Sequence, residues 1–208
     1  MNITVFGANG RVGSAACKIA AQRKHNVCKI DLNLPQDNTF CPDVTIDFST
    51  PDATTQVVDY CIAHRCPLVS GVTGQNAAQQ RLLDSLSRQV TVRQSANFAE
   101  GMTAFLEICR KFTTLCPSWN VDIVETHRKT KIDSPSGTAK KIAAVVAKER
   151  GTFSDVTIHA LRSGDNFGRH EVVFGGTGES VKLVHQAQSV DVFALGAIKC
   201  AESIVCKK

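Results

Sequence analysis

The sequence predicts an α/β protein in which a parallel sheet is followed by a second domain rich in β strands. Over the first hundred residues, short apolar runs alternate with helical patterns, as in parallel sheets with right-handed crossovers. A glycine-rich turn follows the first apolar run, and beyond residue 98 the pattern changes to strands joined by turns. We therefore predict one domain over residues 1–98, completed by a C-terminal helix at 190–208, and another over 99–189.

The first strand and its glycine turn predict a dinucleotide-binding domain of the Rossmann type. The β-prone run Asn2–Phe6 is followed by Gly7-Ala8-Asn9-Gly10-Arg11-Val12-Gly13 and then by a helical pattern. In a strand, glycine turn and helix, backbone N–H groups can bind a pyrophosphate without interference from a Cβ atom. Asp31 closes the second strand 18 residues after Gly13, where an acidic side chain binds the ribose hydroxyls.

The residues around Asp31 favour NADH as the cofactor and tolerate NADPH. Asp31 would repel a 2′-phosphate. Arg11 and Lys29 could reach such a phosphate and soften this preference, whereas Leu32 directly follows Asp31 and offers no arginine there.

Three further strands end in residues suited to binding a cofactor. They are followed by Ser49-Thr50, by Gly71-Val72-Thr73 and by Ser95-Ala96-Asn97-Phe98. Since ligands on parallel sheets bind beyond the carboxyl ends of the strands, we expect these segments at the same edge as the glycine turn.

The second domain is predicted to contain one long amphipathic helix and several strands. The helix spans 102–115, with Phe105, Ile108, Cys109 and Phe112 facing inward. Strands are expected at 121–124, 156–160, 170–174 and 180–185. Val172, Phe174, Val181 and Leu183 form an apolar strand face, which we expect a small domain to leave uncovered and available to a partner subunit.

The stretch 125–140 predicts an anion-binding site. Between a strand end and the start of a helix near 134–138 lie four potential cations, His127, Arg128, Lys129 and Lys131. A helix N-terminus has free N–H groups and a positive dipole end, so the combination suits a strongly anionic small molecule. His127 can also exchange a proton near neutral pH.

Composition excludes several other classes of protein. The formal net charge of +5 is diffuse and only 6% of residues are aromatic, which argues against a nucleic-acid module. No apolar run approaches the roughly 20 residues of a membrane span, and Met1 leads directly into a strand, so we expect a cytoplasmic protein. The nine cysteines include no Cys-x-x-Cys pair, and we expect them to be reduced. The histidines show no metal-binding spacing, so no metal is predicted.

Taken in order, these motifs resemble a known family. They are the glycine turn 7–13, Asp47-Phe48-Ser49-Thr50-Pro51, Gly71-Val72-Thr73-Gly74, Ser95-Ala96-Asn97-Phe98, Glu125-Thr126-His127-Arg128, the segment Lys131–Ala139, and Arg162-Ser163-Gly164 with Gly168-Arg169-His170. The chain resembles a short form of the 4-hydroxy-tetrahydrodipicolinate reductase (dihydrodipicolinate reductase) family over nearly its whole length, and the motif at 131–139 is the most specific.

The resemblance implies a fold, a reaction and a set of site residues. It implies a Rossmann domain, a substrate-binding and tetramerisation domain with a mixed sheet, and a homotetramer. The implied reaction is NADH- or NADPH-dependent reduction of a small dicarboxylate, 4-hydroxy-tetrahydrodipicolinate, to tetrahydrodipicolinate in diaminopimelate and lysine biosynthesis. His127 and Lys131 would be catalytic, and Gly137 and Thr138 would bind a substrate carboxylate. The implied cofactor-binding residues are Gly7, Asn9, Gly10, Arg11, Val12, Gly13, Asp31, Ser49, Gly71, Thr73, Ser95, Asn97 and Phe98.

The chain departs from the family pattern at three positions. Arg128 stands where the family often has a second histidine; an arginine binds a carboxylate more firmly but cannot act as a spare acid. Val12 replaces a common methionine, and Ser134 replaces a common alanine.

Two other functions remain open on the sequence alone. A dehydrogenase acting on an amino-acid semialdehyde would share the first domain but would not need the motif at 131–139. A non-catalytic NAD(H)-binding regulator would bind the cofactor and lack a proton donor, whereas His127 and Lys131 are both present.

Overall fold

The computed structural model describes residues 1–31, 39–151 and 156–206. The chain divides into two compact units, one formed by Met1–Ala99 with Val190–Lys208 and the other by Glu100–Ser189. Leu32, which entered the prediction of cofactor preference, lies outside the described residues, as do the last two residues of the predicted C-terminal helix.

The first unit is built on a five-stranded parallel sheet. Its strands are β1 (Asn2–Phe6), β2 (Asn26–Ile30), β3 (Val44–Asp47), β4 (Leu68–Ser70) and β5 (Val92–Gln94). They lie in the order β2-β1-β3-β4-β5, and every neighbouring pair is parallel. The predicted α/β class with a Rossmann-type sheet is confirmed.

Helices cover both faces of this parallel sheet. Within the unit these are α1 (Arg11–Gln22), α2 (Thr54–His64), α3 (Ala77–Leu86) and α6 (Asp191–Val205). On one face Ile3, Val5 and Ile46 are buried with alanines of α1 and α6, and on the other Phe6 and Leu68 are buried with side chains of α2 and α3. Burial on both faces explains why the strands read as apolar runs without alternation.

Small residues let α6 approach the sheet closely. Ala194, Ala197 and Ala201 are fully buried, and a Cβ atom on Gly196 would lie 1.8 Å from the carbonyl oxygen of Phe98. Only glycine at position 196 leaves room for this backbone contact.

The second unit contains a four-stranded mixed sheet with two helices. The elements are α4 (Glu100–Leu115), β6 (Asn120–His127), α5 (Gly137–Arg150), β7 (Val156–Arg162), β8 (Arg169–Gly176) and β9 (Glu179–Gln186). The strand order is β7-β6-β8-β9, in which β6 and β7 are parallel and the other two pairs are antiparallel. The mixed sheet implied by the family resemblance is therefore confirmed.

Two expectations about apolar faces are wrong. Val172 and Phe174 are fully buried on the sheet face that α4 and α5 cover, so the predicted uncovered face is covered by the unit's own helices. Ile108 was predicted to face inward but is 52% exposed. It lies about 100° around the helix from the buried Cys109, and the sequence pattern did not separate these adjacent apolar positions.

None of the nine cysteines, all of which lie in the described part of the chain, forms a disulfide, and five of them are buried. Burial raises the pKa of the Cys109 thiol to about 12, so this side chain behaves as a small apolar group. Among the described residues, no helix has the length and apolar character needed to span a bilayer.

We predict that Gly196→Ala destabilises the protein. The added methyl group cannot coexist with the Phe98 carbonyl oxygen, so α6 must shift, at a net cost of about 1–3 kcal/mol in the free energy of unfolding. Urea unfolding measures the effect. Gly175→Ala is the control, because a Cβ there meets no atom within 4 Å; equal midpoints for the two variants would contradict the prediction.

Candidate active site

The glycine turn at the start of α1 has the geometry of an anion site. Gly7 has a φ of +70°, and a Cβ on Gly13 would lie 2.0 Å from the carbonyl oxygen of Gly7, so both positions require glycine. The N-cap residue Gly10 supplies no side-chain cap, and the first turn of α1 contains no acidic residue. The turn therefore fits a cofactor pyrophosphate held by backbone N–H groups.

Asp31 is tied to this turn by a direct hydrogen bond. The backbone N–H of Asn9 donates to Oδ2 of Asp31 over 2.8 Å. The carboxylate thus lies at the end of β2 beside the glycine turn, where a ribose would extend from a bound pyrophosphate. Arg11 and Lys29, the two cations considered for a 2′-phosphate, are both exposed.

A buried carboxylate joins the ends of β3 and β4. Asp47 accepts hydrogen bonds from Ser49 Oγ at 2.5 Å, from the N–H of Ser49 at 3.0 Å and from Ser70 Oγ at 3.1 Å. Burial raises the pKa of Asp47, and these hydrogen bonds oppose the rise only in part. The sequence pattern identified Ser49 as a candidate binding residue but did not reveal the structural role of Asp47.

The remaining predicted cofactor residues lie at the carboxyl ends of the parallel strands. A Cβ on Gly71 would lie 2.2 Å from the ring of Phe48, and this ring makes an edge-to-face contact with Phe98, with centroids 6.4 Å apart. Ser95 Oγ donates to the carbonyl oxygen of Asn97 over 2.7 Å. Thr73 is exposed in the loop before α3. The structure thus brings the segments after β3, β4 and β5 to one edge, as predicted.

In the second unit, polar side chains gather at one end of the covered sheet face. Every strand contributes one or more of them. They are Glu125 and His127 from β6, Arg162 from β7, His170 from β8 and His185 from β9. The other end of the same face is apolar and includes Val121 and Phe174.

Glu125 is the centre of this cluster. Its side chain is fully buried, and Oε1 accepts from Arg162 Nη2 at 2.9 Å and from the N–H of Ser136 at 3.0 Å. Oε2 lies 2.6 Å from His127 Nδ1 and 4.0 Å from His170 Nε2. Burial acts to raise the pKa of Glu125, but the hydrogen bonds from Ser136 and Arg162 outweigh it and lower the pKa below its usual value. The carboxylate is therefore ionised at neutral pH.

Burial keeps the neighbouring histidines mainly neutral. It lowers the pKa of His127, although the Glu125 carboxylate opposes this change. Burial and the charge of His127 lower the pKa of His170 to about 3. The two rings meet edge to face with centroids 5.1 Å apart. Burial therefore disfavours the imidazolium form of both histidines.

The loop between β6 and α5 carries the predicted lysine and the anion site. Lys131 Nζ lies 2.5 Å from Oδ1 of Asp133, and Arg162 Nη2 donates to the carbonyl oxygen of Asp133 over 2.6 Å. Ser136 caps α5 by accepting from the N–H of Ala139 over 3.1 Å. Although burial acts to raise the pKa of Asp133, Lys131 and the N–H of Gly137 lower it overall. The Asp133 carboxylate thus occupies the anion position formed by Lys131 and the start of α5.

Arg128 and Thr138, the other two predicted substrate-binding residues, lie at the start of the loop that follows β6 and in the first turn of α5. The Arg128 side chain is half-buried, and its Nε donates to Thr130 Oγ1 over 3.1 Å. Thr138 is buried in the first turn of α5. All five residues predicted for catalysis and substrate binding therefore lie in β6, the following loop or the start of α5.

The cluster also has the spacing of a possible metal site. Ligand atoms of Glu125, His127 and His170 all lie within 4.8 Å of one another. Arg162, however, already pairs with the same carboxylate, and its positive charge opposes a cation there. We interpret the three side chains as an ion-paired cluster, and the absence of a metal stays a prediction.

Glu125, Arg162, Ser136 and His170 fall within the motifs quoted above, but the sequence did not assign them a role in the site. One signal was present: in β6 the alternate residues Val121, Ile123, Glu125 and His127 share the buried face. A glutamate at an inward position of an otherwise apolar strand face needs a partner, because an unpaired buried charge is costly. The identity of that partner depends on the pairing of β6 with β7, which the sequence pattern does not reveal.

Comparison with family models decides the relationship of this chain to known proteins. The model described as "Dihydrodipicolinate reductase, N-terminus" matches residues 22–98, and that described as "Dihydrodipicolinate reductase, C-terminus" matches residues 101–208. The chain belongs to the dihydrodipicolinate reductase family.

Curated relatives match over almost their full length. The 4-hydroxy-tetrahydrodipicolinate reductase of Thermosipho africanus is 36% identical over 209 residues, which cover 100% of this chain and 93% of the relative. The enzyme of the same name from Rickettsia rickettsii is 34% identical, with 97% and 92% covered. The resemblance drawn from the motifs is confirmed.

Solved structures support the same fold. A dipicolinate-bound dihydrodipicolinate reductase from Paenisporosarcina sp. TG-14 superposes with a TM-score of 0.76 at 21% identity, covering 99% of this chain and 94% of the other. Aspartate semialdehyde dehydrogenase II from Vibrio cholerae matches with a TM-score of 0.61 at 7% identity, covering 100% and 98%. At these identities the matches show the fold alone. The semialdehyde alternative therefore gains nothing beyond a shared scaffold.

We predict that Asp47→Asn changes the pH dependence of stability. Because the native pKa of Asp47 is raised, the native state holds its proton more tightly, and wild-type stability falls as pH rises from about 3.9 through the native pKa. A tenfold difference in proton affinity between the native and unfolded states corresponds to a loss of about 1.4 kcal/mol. Asparagine does not titrate. The free energy of unfolding of Asp47→Asn minus that of the wild type, measured by urea unfolding, should therefore be larger at pH 7 than at pH 4. A difference independent of pH would contradict this.

Proposed function

We propose that this chain catalyses the NAD(P)H-dependent reduction of 4-hydroxy-tetrahydrodipicolinate to tetrahydrodipicolinate, in diaminopimelate and lysine biosynthesis. The observation that carries the proposal is the group formed by His127, Lys131 and the N-terminus of α5, in a member of the reductase family that matches 93% of the length of a curated relative. We assign cofactor binding to residues 1–98 with 190–208, and substrate binding and tetramerisation to residues 99–189.

Lys131, Arg128 and the start of α5 bind the substrate carboxylates in this proposal. Lys131 Nζ and the N–H of Gly137 already hold the carboxylate of Asp133, so the position accepts an anion. Thr138 follows Gly137 in the first turn, so the helix N-terminus adds its dipole to the attraction. A substrate carboxylate would replace or share the Asp133 contacts.

His127 supplies the proton. Loss of the 4-hydroxyl group of the substrate as water gives a conjugated cyclic imine. Its reduction needs a hydride on carbon and a proton delivered nearby, and a positioned acid or fixed cation stabilises the charge that develops. Since burial lowers the pKa of His127, the protonated fraction falls as pH rises through values below about 6.5. We therefore assign proton donation to His127 and charge stabilisation to Lys131.

The glycine turn and Asp31 bind the nicotinamide cofactor, which supplies the hydride when bound. Asn9 and Asp31 are hydrogen-bonded, so the turn and the ribose-binding carboxylate form one rigid element. Asp31 favours NADH over NADPH, since a 2′-phosphate beside this carboxylate would be repelled. Gly71, Ser95, Asn97 and Phe98 complete the edge along which the cofactor lies in this proposal.

We further propose that the chain forms a homotetramer through the uncovered face of the mixed sheet. Leu161 and Val184 lie on this face and are 51% and 49% exposed. Half-exposed aliphatic side chains on a broad sheet face favour association with further copies. A solution mass equal to that of one 22.4 kDa chain would contradict the tetramer.

We predict that His127→Ala and Lys131→Ala each reduce turnover roughly 100-fold or more, because each removes a group that acts on the developing charge. Oxidation of NADH and NADPH is followed with freshly generated dihydrodipicolinate synthase product. His64→Ala and Lys148→Ala are the controls, since these residues lie in α2 and in the last turn of α5.

The outcomes of this experiment separate the candidate functions. Turnover by the wild type and both controls, with loss in both site variants, supports the reductase. Intact cofactor binding without turnover would overturn the proposal in favour of a regulator or a reductase of another substrate.

We predict that Asp31→Ser shifts the cofactor preference toward NADPH. Removing the carboxylate removes the repulsion of a 2′-phosphate and leaves Arg11 nearby, so the ratio of kcat/KM for NADH to that for NADPH should fall roughly tenfold. Asp43→Ser is the control, because Asp43 precedes β3 at the opposite edge of the sheet and accepts from the N–H of Asn2. An unchanged ratio in Asp31→Ser would show that Asp31 does not set the preference.

A further inference from the structure

We propose that Glu125 is the positioning residue for His127: its buried carboxylate holds the proton on Nδ1, so that Nε2 is the nitrogen that exchanges a proton with substrate. The catalytic part of this inference rests on the proposed function. The placement of the proton is a property of the free protein and does not depend on which reaction is catalysed.

The contact between the two side chains decides where the proton lies. Oε2 of Glu125 is 2.6 Å from Nδ1 of His127, and both atoms are buried without an aligned hydrogen bond to any other group. An unprotonated Nδ1 would direct its lone pair toward a negatively charged oxygen at this distance, which is repulsive. A proton on Nδ1 makes the same contact attractive, even though the oxygen lies off the direction of the N–H bond.

Nε2, the other ring nitrogen of His127, lies in a different environment. A Cβ on Gly168 would lie 3.1 Å from His127 Nε2, so the glycine leaves open the space beside that atom. No hydrogen bond to Nε2 is present among residues 1–31, 39–151 and 156–206. Nε2 is therefore the nitrogen that remains for proton exchange, as in other sites where a carboxylate orients a histidine through Nδ1.

Arg162 keeps the Glu125 carboxylate charged and in place. Its Nη2 donates both to Oε1 of Glu125 at 2.9 Å and to the carbonyl oxygen of Asp133 at 2.6 Å. This hydrogen bond helps to lower the pKa of Glu125, so the carboxylate stays ionised despite full burial. Arg162 thus connects the orienting carboxylate to the loop that contains Lys131.

Glu125 also connects the proton donor to the anion site. Its Oε1 accepts the N–H of Ser136, the residue whose hydroxyl caps α5. One carboxylate therefore fixes the imidazole through Oε2 and the start of α5 through Oε1. A change in this carboxylate should affect proton delivery more than cofactor binding, since the glycine turn belongs to the other unit.

Several charged groups shift the pKa of His127, some upward and some downward. Glu125 on β6 and Asp133 in the following loop favour the imidazolium ion, whereas Lys131 in that loop and Arg162 on β7 oppose it. A positive charge on His127 lowers the pKa of His170 on β8, and a charge on His185 of β9 lowers the pKa of His170 further. Glu125 is the largest favourable influence, so removing its charge should lower the pKa of His127 further.

The first test is the tautomer of His127 in the free protein. In ¹⁵N-histidine-labelled protein, long-range ¹H–¹⁵N correlation distinguishes the two neutral tautomers, and His127→Asn identifies the signal. We expect the Nδ1-protonated form in the wild type, and in Glu125→Gln both a lower pKa and loss of this preference. A wild-type His127 protonated on Nε2 when neutral would overturn the inference, whether or not the protein proves to be a reductase.

The second test is the pH profile of turnover. In Glu125→Gln we expect kcat to fall about 100-fold with a much smaller change in the KM for NADH, and the descending limb of the profile to move to lower pH. Glu125→Asp keeps the charge, so the descending limb of its pH profile should stay close to that of the wild type. Glu149→Gln is the matched control. Glu149 lies in the last turn of α5, and its carboxylate pairs with Arg110 of α4.

The outcomes distinguish positioning from a purely structural role. A Glu125→Gln protein with reduced stability but an unchanged pH profile and tautomer would overturn the inference. If Glu125→Gln does not fold, the wild-type tautomer and the Glu125→Asp profile decide. Absence of turnover in the wild type would overturn the proposed reaction alone, and the tautomer would still decide the role of Glu125.

Discussion

The burial of the Glu125 carboxylate is the constraint on which the architecture of the second unit depends. A charged carboxylate without contact to water is strongly unfavourable unless other groups compensate it. Here the compensation comes from a guanidinium on the parallel neighbour β7, a backbone N–H at the start of α5 and an imidazole two residues along β6. Losing any one of these would leave a buried charge poorly compensated, so the requirement fixes strand pairing, loop path and helix start together.

This constraint explains why one sheet face serves two purposes. At one end of the covered face, Phe174 packs against Phe112 of α4 with ring centroids 4.5 Å apart, and the contacts are those of an ordinary core. At the other end, the same alternation places Glu125 and His127 inward. The apolar end stabilises the sheet, and this stability allows the polar end to remain buried. The low pKa of the histidines follows from that burial.

In the first unit, backbone N–H groups rather than charged side chains form the candidate anion-binding position. Its glycine turn presents N–H groups at the start of α1, and the close approach of Gly13 to Gly7 leaves no room for side chains. Asp47 and Asp31 then connect the turn and the neighbouring strand ends through hydrogen bonds. The residues that we propose for binding in both units are thus held by buried or hydrogen-bonded carboxylates, which keeps their positions defined before any ligand is present.

Much of the site was predictable because its signals are local. The glycine spacing, Asp31 at a strand end and the cations before α5 depend only on neighbours along the chain, and the structure places each at the expected element boundary. The predicted inward Ile108 and the uncovered face with Val172 and Phe174 were wrong. Both depend on which surface a helix covers, and periodicity alone does not determine that.

The sequence by itself determined the parallel sheet, the glycine turn, the basic loop and the family, because each rests on periodicity or on motifs of adjacent residues. Only the tertiary structure decided that Arg162, His170 and Ser136 surround Glu125, which in turn contacts His127. These three residues lie 11 to 45 positions after Glu125 in the sequence, and their meeting depends on the register between β6 and its two neighbouring strands. Strand register is a long-range property, set by the packing of whole faces, and it has no counterpart in a local pattern.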